Sequence, residues 1–199
     1  PHTVAEVLRM RLQNIYPGLE LKSLRPALAE GHKKPIKVRP PFYCSGCPHN
    51  TSTKLPEGSR AMGGIGCHYM ATWIYDGTTT FTQMGGEGTP WIGQAPFLKT
   101  DHIFANLGDG TYFHSGSLAI RACVAAKTNI TFKILYNDAV AMTGGQPVDG
   151  PLSVGEITKQ LSAEGVQFIA VVSDDPTKYP VGSDFAAGVT FHHRDDLPQ

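Results

Sequence analysis

Several features that would point to a function are missing from this sequence, and each absence excludes a class of protein. The 199 residues carry 17 basic and 17 acidic side chains, so the basic excess typical of nucleic-acid binding is absent. No apolar run approaches the roughly 18 residues of a membrane-spanning helix. No signal-peptide pattern, internal repeat or Gly-x-x-x-x-Gly-Lys phosphate loop is present. We therefore expect neither a nucleic-acid nor a membrane partner.

The composition is that of a folded domain in a reducing compartment. Hydrophobic residues make up 41% of the chain and charged residues 17%, which is enough apolar surface for a core. The four cysteines include a Cys-x-x-Cys pair, and nothing points to secretion, so we expect a cytoplasmic protein with reduced thiols. The first residue is Pro rather than Met, and we expect the chain to be part of a longer multidomain polypeptide.

The N-terminal fifth of the chain differs from the rest. Apolar residues at helical spacing predict a helix over residues 3–15. Residues 18–38 are irregular and rich in proline, and the basic cluster at 33–39 is interpreted as an exposed linker rather than a binding patch. We therefore divide the chain into an N-terminal helix with its linker, residues 1–38, and a main domain, residues 39–199.

Strands alternate with helices in the main domain. Secondary structure between residues 42 and 100 is hard to assign from the sequence. Beyond it, the pattern predicts strands at 102–107, 131–136, 166–172 and 187–191, and helices at 115–127 and 153–163. The strand at 166–172 is nearly all apolar, as expected for a strand buried on both faces. Such alternation predicts a three-layer α/β fold with a mostly parallel, doubly wound sheet.

Polar residues follow two of these strands where they end. Gly108, Asp109 and Gly110 close the first strand, and Asn137 closes the second. In a parallel sheet these ends lie side by side at the ligand-binding edge. A carboxylate and an amide there suit a Mg²⁺ ion holding a phosphate group, and the glycines would let the backbone turn tightly and approach the ligand. The alternative is a plain turn, but the pairing of both motifs favours a site.

The same motifs resemble a known family. A Gly-Asp-Gly with a downstream Asn resembles the thiamine-diphosphate signature. Residues 137–147, Asn-Asp-Ala-Val-Ala-Met-Thr-Gly-Gly-Gln-Pro, are most similar to indolepyruvate:ferredoxin oxidoreductase among the 2-oxoacid:ferredoxin oxidoreductases. Residues 39–49 (Arg-Pro-Pro-Phe-Tyr-Cys-Ser-Gly-Cys-Pro-His), 64–67 (Gly-Ile-Gly-Cys) and 84–88 (Met-Gly-Gly-Glu-Gly) resemble the same family. The resemblance runs from about residue 39 to the end and implies a fold of the thiamine-diphosphate-binding type.

The resemblance implies roles for individual residues at the strand ends. Asp109 and Asn137 would ligate Mg²⁺ through their side chains, and Ala139 would ligate it through its carbonyl. Gly108 and Gly110 would line the diphosphate. In addition, His49 falls where the family has a cofactor-contacting residue, although an ordinary structural histidine explains it equally well.

The cysteines leave two interpretations open. From spacing alone, Cys44, Cys47 and Cys67 together with His68 could bind zinc, or the thiolates could bind an iron–sulfur cluster. The family resemblance favours a [4Fe–4S] cluster on the three cysteines, next to the cofactor. Cys123, on the apolar face of a predicted helix, is interpreted as a core residue, so a fourth ligand is missing.

By resemblance, the chain is the thiamine-diphosphate-binding part of an enzyme that decarboxylates 2-oxo acids oxidatively to acyl-coenzyme A. Indolepyruvate or another aryl pyruvate would be the substrate, and electrons would pass to ferredoxin. The activating carboxylate would come from a separate pyrimidine-binding domain, so we assign no catalytic residue and interpret Glu87 as a loop residue. The alternative is a non-catalytic, zinc-stabilised interaction domain. Non-oxidative thiamine decarboxylases lack the cysteine set and the Thr-Gly-Gly-Gln element.

Overall fold

The fold was analysed in a computed structural model that describes residues 2–19, 37, 39–150, 152–179, 182 and 184–197. The chain divides into two compact units, residues 1–39 and 40–199. The predicted linker and its basic cluster fall mostly on residues 20–36 and 38, which lie outside the described residues. No helix within the described ranges is both long and apolar enough to cross a membrane.

The smaller unit contains helix α1, and helices and strands alternate along most of the larger unit. The helices are α1 (His2–Ile15), α2 (His49–Ser52), α3 (Ala71–Ile74), α4 (Thr89–Gln94), α5 (Asp109–Thr111), α6 (Ser117–Ala125) and α7 (Val154–Ala163). The strands are β1 (Ala61–Gly63), β2 (Thr78–Phe81), β3 (Ile103–Gly108), β4 (Ile130–Leu135), β5 (Ala170–Ser173) and β6 (Thr190–His193).

The main sheet is parallel throughout. Its strand order is β2-β1-β3-β4, so the two central strands, β1 and β3, are joined to the outer ones by helical crossovers. Strands β3 and β4 pair over six residues, from Ile103 opposite Ile130 to Gly108 opposite Leu135. All four strands therefore end at one edge, and the α/β fold with a mostly parallel sheet is confirmed.

One face of the sheet is apolar. Leu107 on β3 packs with Tyr112, with Ile120 of α6 and with Ile157 and Leu161 of α7. A second cluster joins Met62, Trp91 and Ile103. Alternate residues along a strand point to opposite faces of the sheet. The odd-numbered residues of β3 and their partners on β4 therefore face the helices α4, α6 and α7.

The opposite face is polar. Asn106 and Lys133 are paired in register on β3 and β4, and Lys133 donates hydrogen bonds to the carbonyls of Ser52 and Lys54 at 3.0 and 2.8 Å. The ammonium group also lies 4.9 Å from the ring centre of Phe104. These contacts place α2, with the Cys-x-x-Cys segment before it, on this face of the sheet.

The structure confirms the central strand–helix–strand unit and the following helix. Strands β3 and β4 are each displaced by one residue from the predicted positions. Ser153 caps α7. Its side chain accepts a hydrogen bond from the Glu156 amide, and its own backbone amide donates one to the Glu156 carboxylate, which completes a capping box. Gly165, at φ 94°, follows the end of this helix, as expected for a left-handed stop.

The prediction for the C-terminal strands is partly wrong. Residues 166–169 are not in a strand, and Phe168 is 91% exposed. Strand β5 begins at Ala170 and pairs with β6 in a separate two-stranded parallel sheet, where only Val171 is buried. The apolar run correctly predicts a strand, but apolarity alone does not determine how many of its residues pair with a neighbouring strand.

Candidate functional site

Asp109 lies at the edge where the sheet strands end and connects the loops after β3 and β4. Its side chain is 8% exposed. Oδ2 accepts hydrogen bonds from the amides of Asn137 and Asp138, at 2.9 and 2.6 Å, and Oδ1 accepts one from Gly110 at 2.9 Å. Three backbone amides therefore surround one carboxylate, and two of them tie the loop after β4 to the end of β3.

The segment after β4 folds back over this carboxylate. Asn137 Oδ1 accepts a hydrogen bond from the Ala139 amide at 3.1 Å. Asp138 adopts a left-handed conformation, φ 54°, which brings its amide to Asp109. The structure therefore brings Asp109, Asn137 and Ala139 together. A carboxylate and an amide oxygen are the kinds of hard donor that Mg²⁺ prefers, and here the contact between the two residues is made by the Asn137 backbone amide.

The sequence predicts that the next helix begins near residue 115. In the structure it begins at Asp109. Helical structure runs from α5 through a π-helical turn, Tyr112–Gly116, into α6. Free amides of a first helical turn attract anions, and π-turns occur often at functional sites. In this first turn the Gly110 amide donates to Asp109 itself.

The glycines beside Asp109 matter for space rather than for backbone conformation. Gly108 has φ −76° and Gly110 is not in the positive-φ region, so the abrupt turn from β3 into α5 does not itself require glycine. A Cβ on Gly110 would make only ordinary contacts of 3.8 Å with Val140 and Val148. A small side chain would therefore fit at Gly110, whereas a Cβ on Gly108 would lie 3.3 Å from the His68 ring.

A small pocket opens beside Asp109. Its lining residues include Tyr112, Phe113, Tyr136 and Asp138. The empty space is about 220 Å³, and this figure includes the part open to solvent. The described residues on this side of the edge do not by themselves enclose an aromatic substrate.

Three cysteines lie near one another on the polar face. Asn50 donates to the carbonyls of Cys44 and Cys47, at 3.1 Å each, and so fixes the Cys-x-x-Cys turn. Burial raises the pKa of the Cys67 thiol, and the thiols of Cys47 and Cys44 raise it further. By contrast, Cys123 is 1% exposed and burial raises its pKa to about 11, which confirms it as a core residue.

His68 is buried against the ends of β1 and β3, where it lies close to Gly64, Gly66 and Gly108. Its ring is stacked on His49, with ring centres 6.0 Å apart, and side chains at Gly64, Gly66 or Gly108 would collide with it or crowd it. Burial, followed by the charge of His49, lowers the pKa of His68 to about 4. This placement does not favour the zinc interpretation, in which His68 completes the ligand set.

His49 has structural contacts on both sides. Its Nδ1 lies 3.3 Å from the Cys47 sulfur, and its ring also lies against Tyr43 at 5.4 Å. Burial lowers its pKa. Within the part of the chain that the structure describes, no three His, Cys, Asp or Glu side chains are arranged to hold a metal ion.

The sequence analysis missed several buried polar residues. Glu87 is 1% exposed, and burial raises its pKa, so it is a loop residue but not a surface one. Asn106 is fully buried, and neither side-chain amide atom has a partner among the described residues. Burial lowers the pKa of Lys133 to about 8. The sequence does mark two of these buried residues as unusual. Asn106 interrupts an apolar run, and Glu87 is flanked by glycines.

Comparison with known proteins agrees with this geometry. A family model described as "Thiamine pyrophosphate enzyme, C-terminal TPP binding domain" matches residues 64–174, more than half of the chain. The matched range includes Cys67, Asp109 and Asn137.

Curated relatives point the same way. The chain is 29% identical to "Indolepyruvate oxidoreductase subunit IorA" of Thermococcus kodakarensis, with 78% of this chain and 28% of the relative aligned. It is 32% identical to the subunit of the same name from Pyrococcus abyssi, with the same coverage. For the Archaeoglobus fulgidus subunit the identity is 29%, with coverage of 85% and 29%. The chain spans less than a third of the length of these relatives. The resemblance noted in the sequence is thereby confirmed.

Proposed function

The chain belongs to the thiamine pyrophosphate enzymes, as their C-terminal TPP-binding domain, and we propose that it holds the diphosphate of the cofactor through Mg²⁺. Asp109 and Asn137 are the proposed side-chain ligands, and the carbonyl of Ala139 is the third. The observation that carries this proposal is the Asp109 carboxylate, which bonds the amides of Asn137 and Asp138 at the edge where β3 and β4 end.

The chain's own residues have three tasks in this proposal. The ligands and the free amides after Asp109 bind the diphosphate, and Gly108 and Gly110 leave it space. The polar face beneath the edge carries Cys44, Cys47 and Cys67, which would hold a [4Fe–4S] cluster with a fourth ligand from elsewhere. The effect of Cys47 and Cys44 on the pKa of Cys67 supports their proximity, although within the described residues the three are not arranged as a metal-binding group.

The proposed reaction is that of an indolepyruvate-type 2-oxoacid:ferredoxin oxidoreductase. The relatives named indolepyruvate oxidoreductase subunit support this substrate class. Bound thiamine diphosphate supplies the carbon nucleophile and the electron sink for oxidative decarboxylation. The proposed partners are coenzyme A, ferredoxin and a pyrimidine-binding domain, which would contribute the activating carboxylate. His49 is a proposed contact of the cofactor. All four cysteines are free thiols, which fits the cytoplasmic location that we propose.

Calorimetric titration of thiamine diphosphate tests the binding proposal in the full-length protein that carries this chain. With Mg²⁺ present, we expect Asp109→Asn to weaken binding at least about tenfold, a loss of roughly 1.4 kcal/mol, because a charged ligand of the cation is removed. Chelation of Mg²⁺ should weaken the wild type to the same extent.

Asp138→Asn is the matched control. It removes a charge from the same loop, and Asn tolerates the left-handed backbone at this position, so its affinity should equal that of the wild type. Equal affinity of Asp109→Asn and the wild type would contradict the proposal. Iron and sulfide in anaerobically purified protein would support the cluster, whereas stoichiometric zinc would support the interaction-domain alternative.

A further inference from the structure

Lys133 is a half-buried lysine whose hydrogen bonds go to backbone carbonyls instead of a carboxylate. Its Nζ donates to the carbonyls of Ser52 and Lys54 at 3.0 and 2.8 Å. Among the described residues it forms no ion pair. Removing a charged group from water costs free energy unless hydrogen bonds replace the lost hydration, and the two carbonyls provide this compensation.

Both carbonyls lie at the end of the short helix α2. Ser52 is the last residue of this helix, and Lys54 follows its C-cap residue, Thr53. The last carbonyls of a helix have no partner within the helix, and a cation near them is favourable because they carry a partial negative charge. The Lys133 side chain therefore attaches the end of α2 to strand β4.

Helix α2 in turn holds the Cys-x-x-Cys turn before it. The Asn50 side chain donates to the carbonyls of Cys44 and Cys47 at 3.1 Å each. The Cys47 amide also donates to the Cys44 carbonyl at 3.1 Å. A continuous path of hydrogen bonds and one helical turn therefore connects the Lys133 ammonium group with both cysteines.

The other end of this path is the strand that leads to the proposed cation site. Lys133 pairs in register with Asn106 within the parallel sheet. After β4 ends, the Asn137 amide donates to the Asp109 carboxylate at 2.9 Å. Groups held by a paired strand are positioned more precisely than groups held by a loop alone. One strand thus connects the cation site with the lysine that holds the cysteine turn.

We propose that Lys133 is a positioning residue, which holds the Cys-x-x-Cys turn at a fixed place on the sheet relative to the edge that carries Asp109 and Asn137. What the turn and the edge would bind, a cluster and the cofactor diphosphate, rests on the proposed function. The positioning is a property of this chain alone, so it can be measured without either ligand.

Hydrogen–deuterium exchange read by peptide mass spectrometry tests this proposal in the full-length protein, kept reduced and treated with chelator. Lys133→Met removes the donors but keeps an apolar side chain of similar length over Phe104. We expect the peptide that covers residues 44–54 to exchange at least about tenfold faster in this variant, because the released segment opens locally. The peptide that covers α7 should exchange as in the wild type.

Three further variants complete the comparison. Lys133→Arg keeps the charge and several N–H donors, so it should restore most of the slow exchange of residues 44–54. Lys99→Met, at an exposed position, is the matched control and should change neither peptide. Lys133→Gln, which also removes the charge, takes the place of Lys133→Met if that variant does not fold.

Faster exchange confined to residues 44–54, with recovery in Lys133→Arg, supports the proposal. Unchanged exchange in Lys133→Met overturns it. Equal acceleration of both peptides also overturns it, because Lys133 would then stabilise the fold as a whole. The same holds if Lys133→Arg exchanges as fast as Lys133→Met, since the donors would then not be the cause. Failure of thiamine diphosphate to bind the wild type would count against the proposed function alone, because the exchange measurement contains no cofactor.

Discussion

The two faces of the four-stranded sheet differ in kind. The face covered by α6 and α7 is built from aliphatic and aromatic side chains around Leu107, Ile120 and Leu161. The face covered by α2 buries His68 and Asn106, and Lys133 reaches across it to the carbonyls of the α2 segment. Apolar burial stabilises a fold, whereas buried polar groups stabilise it only when they are fully paired.

This difference indicates that the two faces of the sheet have different roles. The apolar face holds the sheet together, and the polar face carries the cysteines and histidines while leaving some of their neighbours without hydrogen-bond partners. Buried polar groups of that kind cost stability, and proteins retain them mainly where a function uses them. The predictions below test whether each face behaves as assigned.

The largest effect is expected on the apolar face. Ile120→Ala removes a side chain that is 2% exposed and should lower the free energy of unfolding by about 3 kcal/mol, since the cavity closes only partly. Urea denaturation measures this loss. On the same helix, Leu118 is 58% exposed, and Leu118→Ala should change stability by less than about 0.5 kcal/mol. Similar losses for both variants would contradict the assignment of the core.

On the polar face, His68 should make stability depend on pH. Burial lowers its pKa from 6.5 to about 4, so between these values the unfolded chain binds a proton that the folded protein does not. Stability therefore falls as pH falls from 6.5 towards 4, by up to roughly 3 kcal/mol, and this contribution is absent above 6.5.

Urea denaturation across this pH range checks the effect. His68→Gln should remove this part of the pH dependence, whatever its stability at neutral pH. The exposed histidine of the π-turn provides the control, and His114→Gln should leave the pH profile as in the wild type. Parallel profiles for the wild type and His68→Gln would show that His68 is not the group responsible.

A smaller and opposite effect is expected at Asn106. Its amide is fully buried and has no partner among the residues that the structure describes, so Asn106→Leu should raise the free energy of unfolding by about 1 kcal/mol by removing the desolvation cost. For comparison, Asn50 donates two hydrogen bonds, and Asn50→Leu should lower stability. A clear loss of stability in Asn106→Leu would mean that the amide has partners, such as buried water.

The smallest effect concerns Lys133, whose pKa burial lowers to about 8. Between pH 8 and 10.5 the unfolded chain holds a proton that the folded protein has released, so stability rises with pH across this window. Because part of the side chain reaches solvent, we expect a rise below about 1 kcal/mol. Thermal unfolding of the wild type and Lys133→Met should show this rise only in the wild type.

The sequence was informative where local pattern and topology agree. The ends of β3 and β4 could be predicted because apolar strands around a helical crossover place Asp109 and Asn137 side by side. The Ser153–Glu156 capping box, likewise, depends only on residues three apart. Contacts of this kind are encoded within one or two adjacent elements.

Other features depend on packing that no local pattern records. Glu87 is buried in a glycine-rich loop in which the Gly85 amide bonds its carboxylate, and the ring of His68 fits only because three separate glycines leave space for it. The apolar run at 166–172 illustrates the opposite error, because Phe168 is largely exposed despite its type. Burial is decided by the elements that come together in space, which a single sequence does not state.

The electron paramagnetic resonance of Mn²⁺, used in place of Mg²⁺ with thiamine diphosphate bound, tests the central claim most directly. The account predicts a phosphorus hyperfine coupling in the wild type and in Asp138→Asn, and loss of the bound Mn²⁺ signal in Asp109→Asn. Undiminished Mn²⁺ binding in Asp109→Asn, or a wild-type spectrum without phosphorus coupling, would contradict the claim that Asp109 anchors the cofactor diphosphate through a cation.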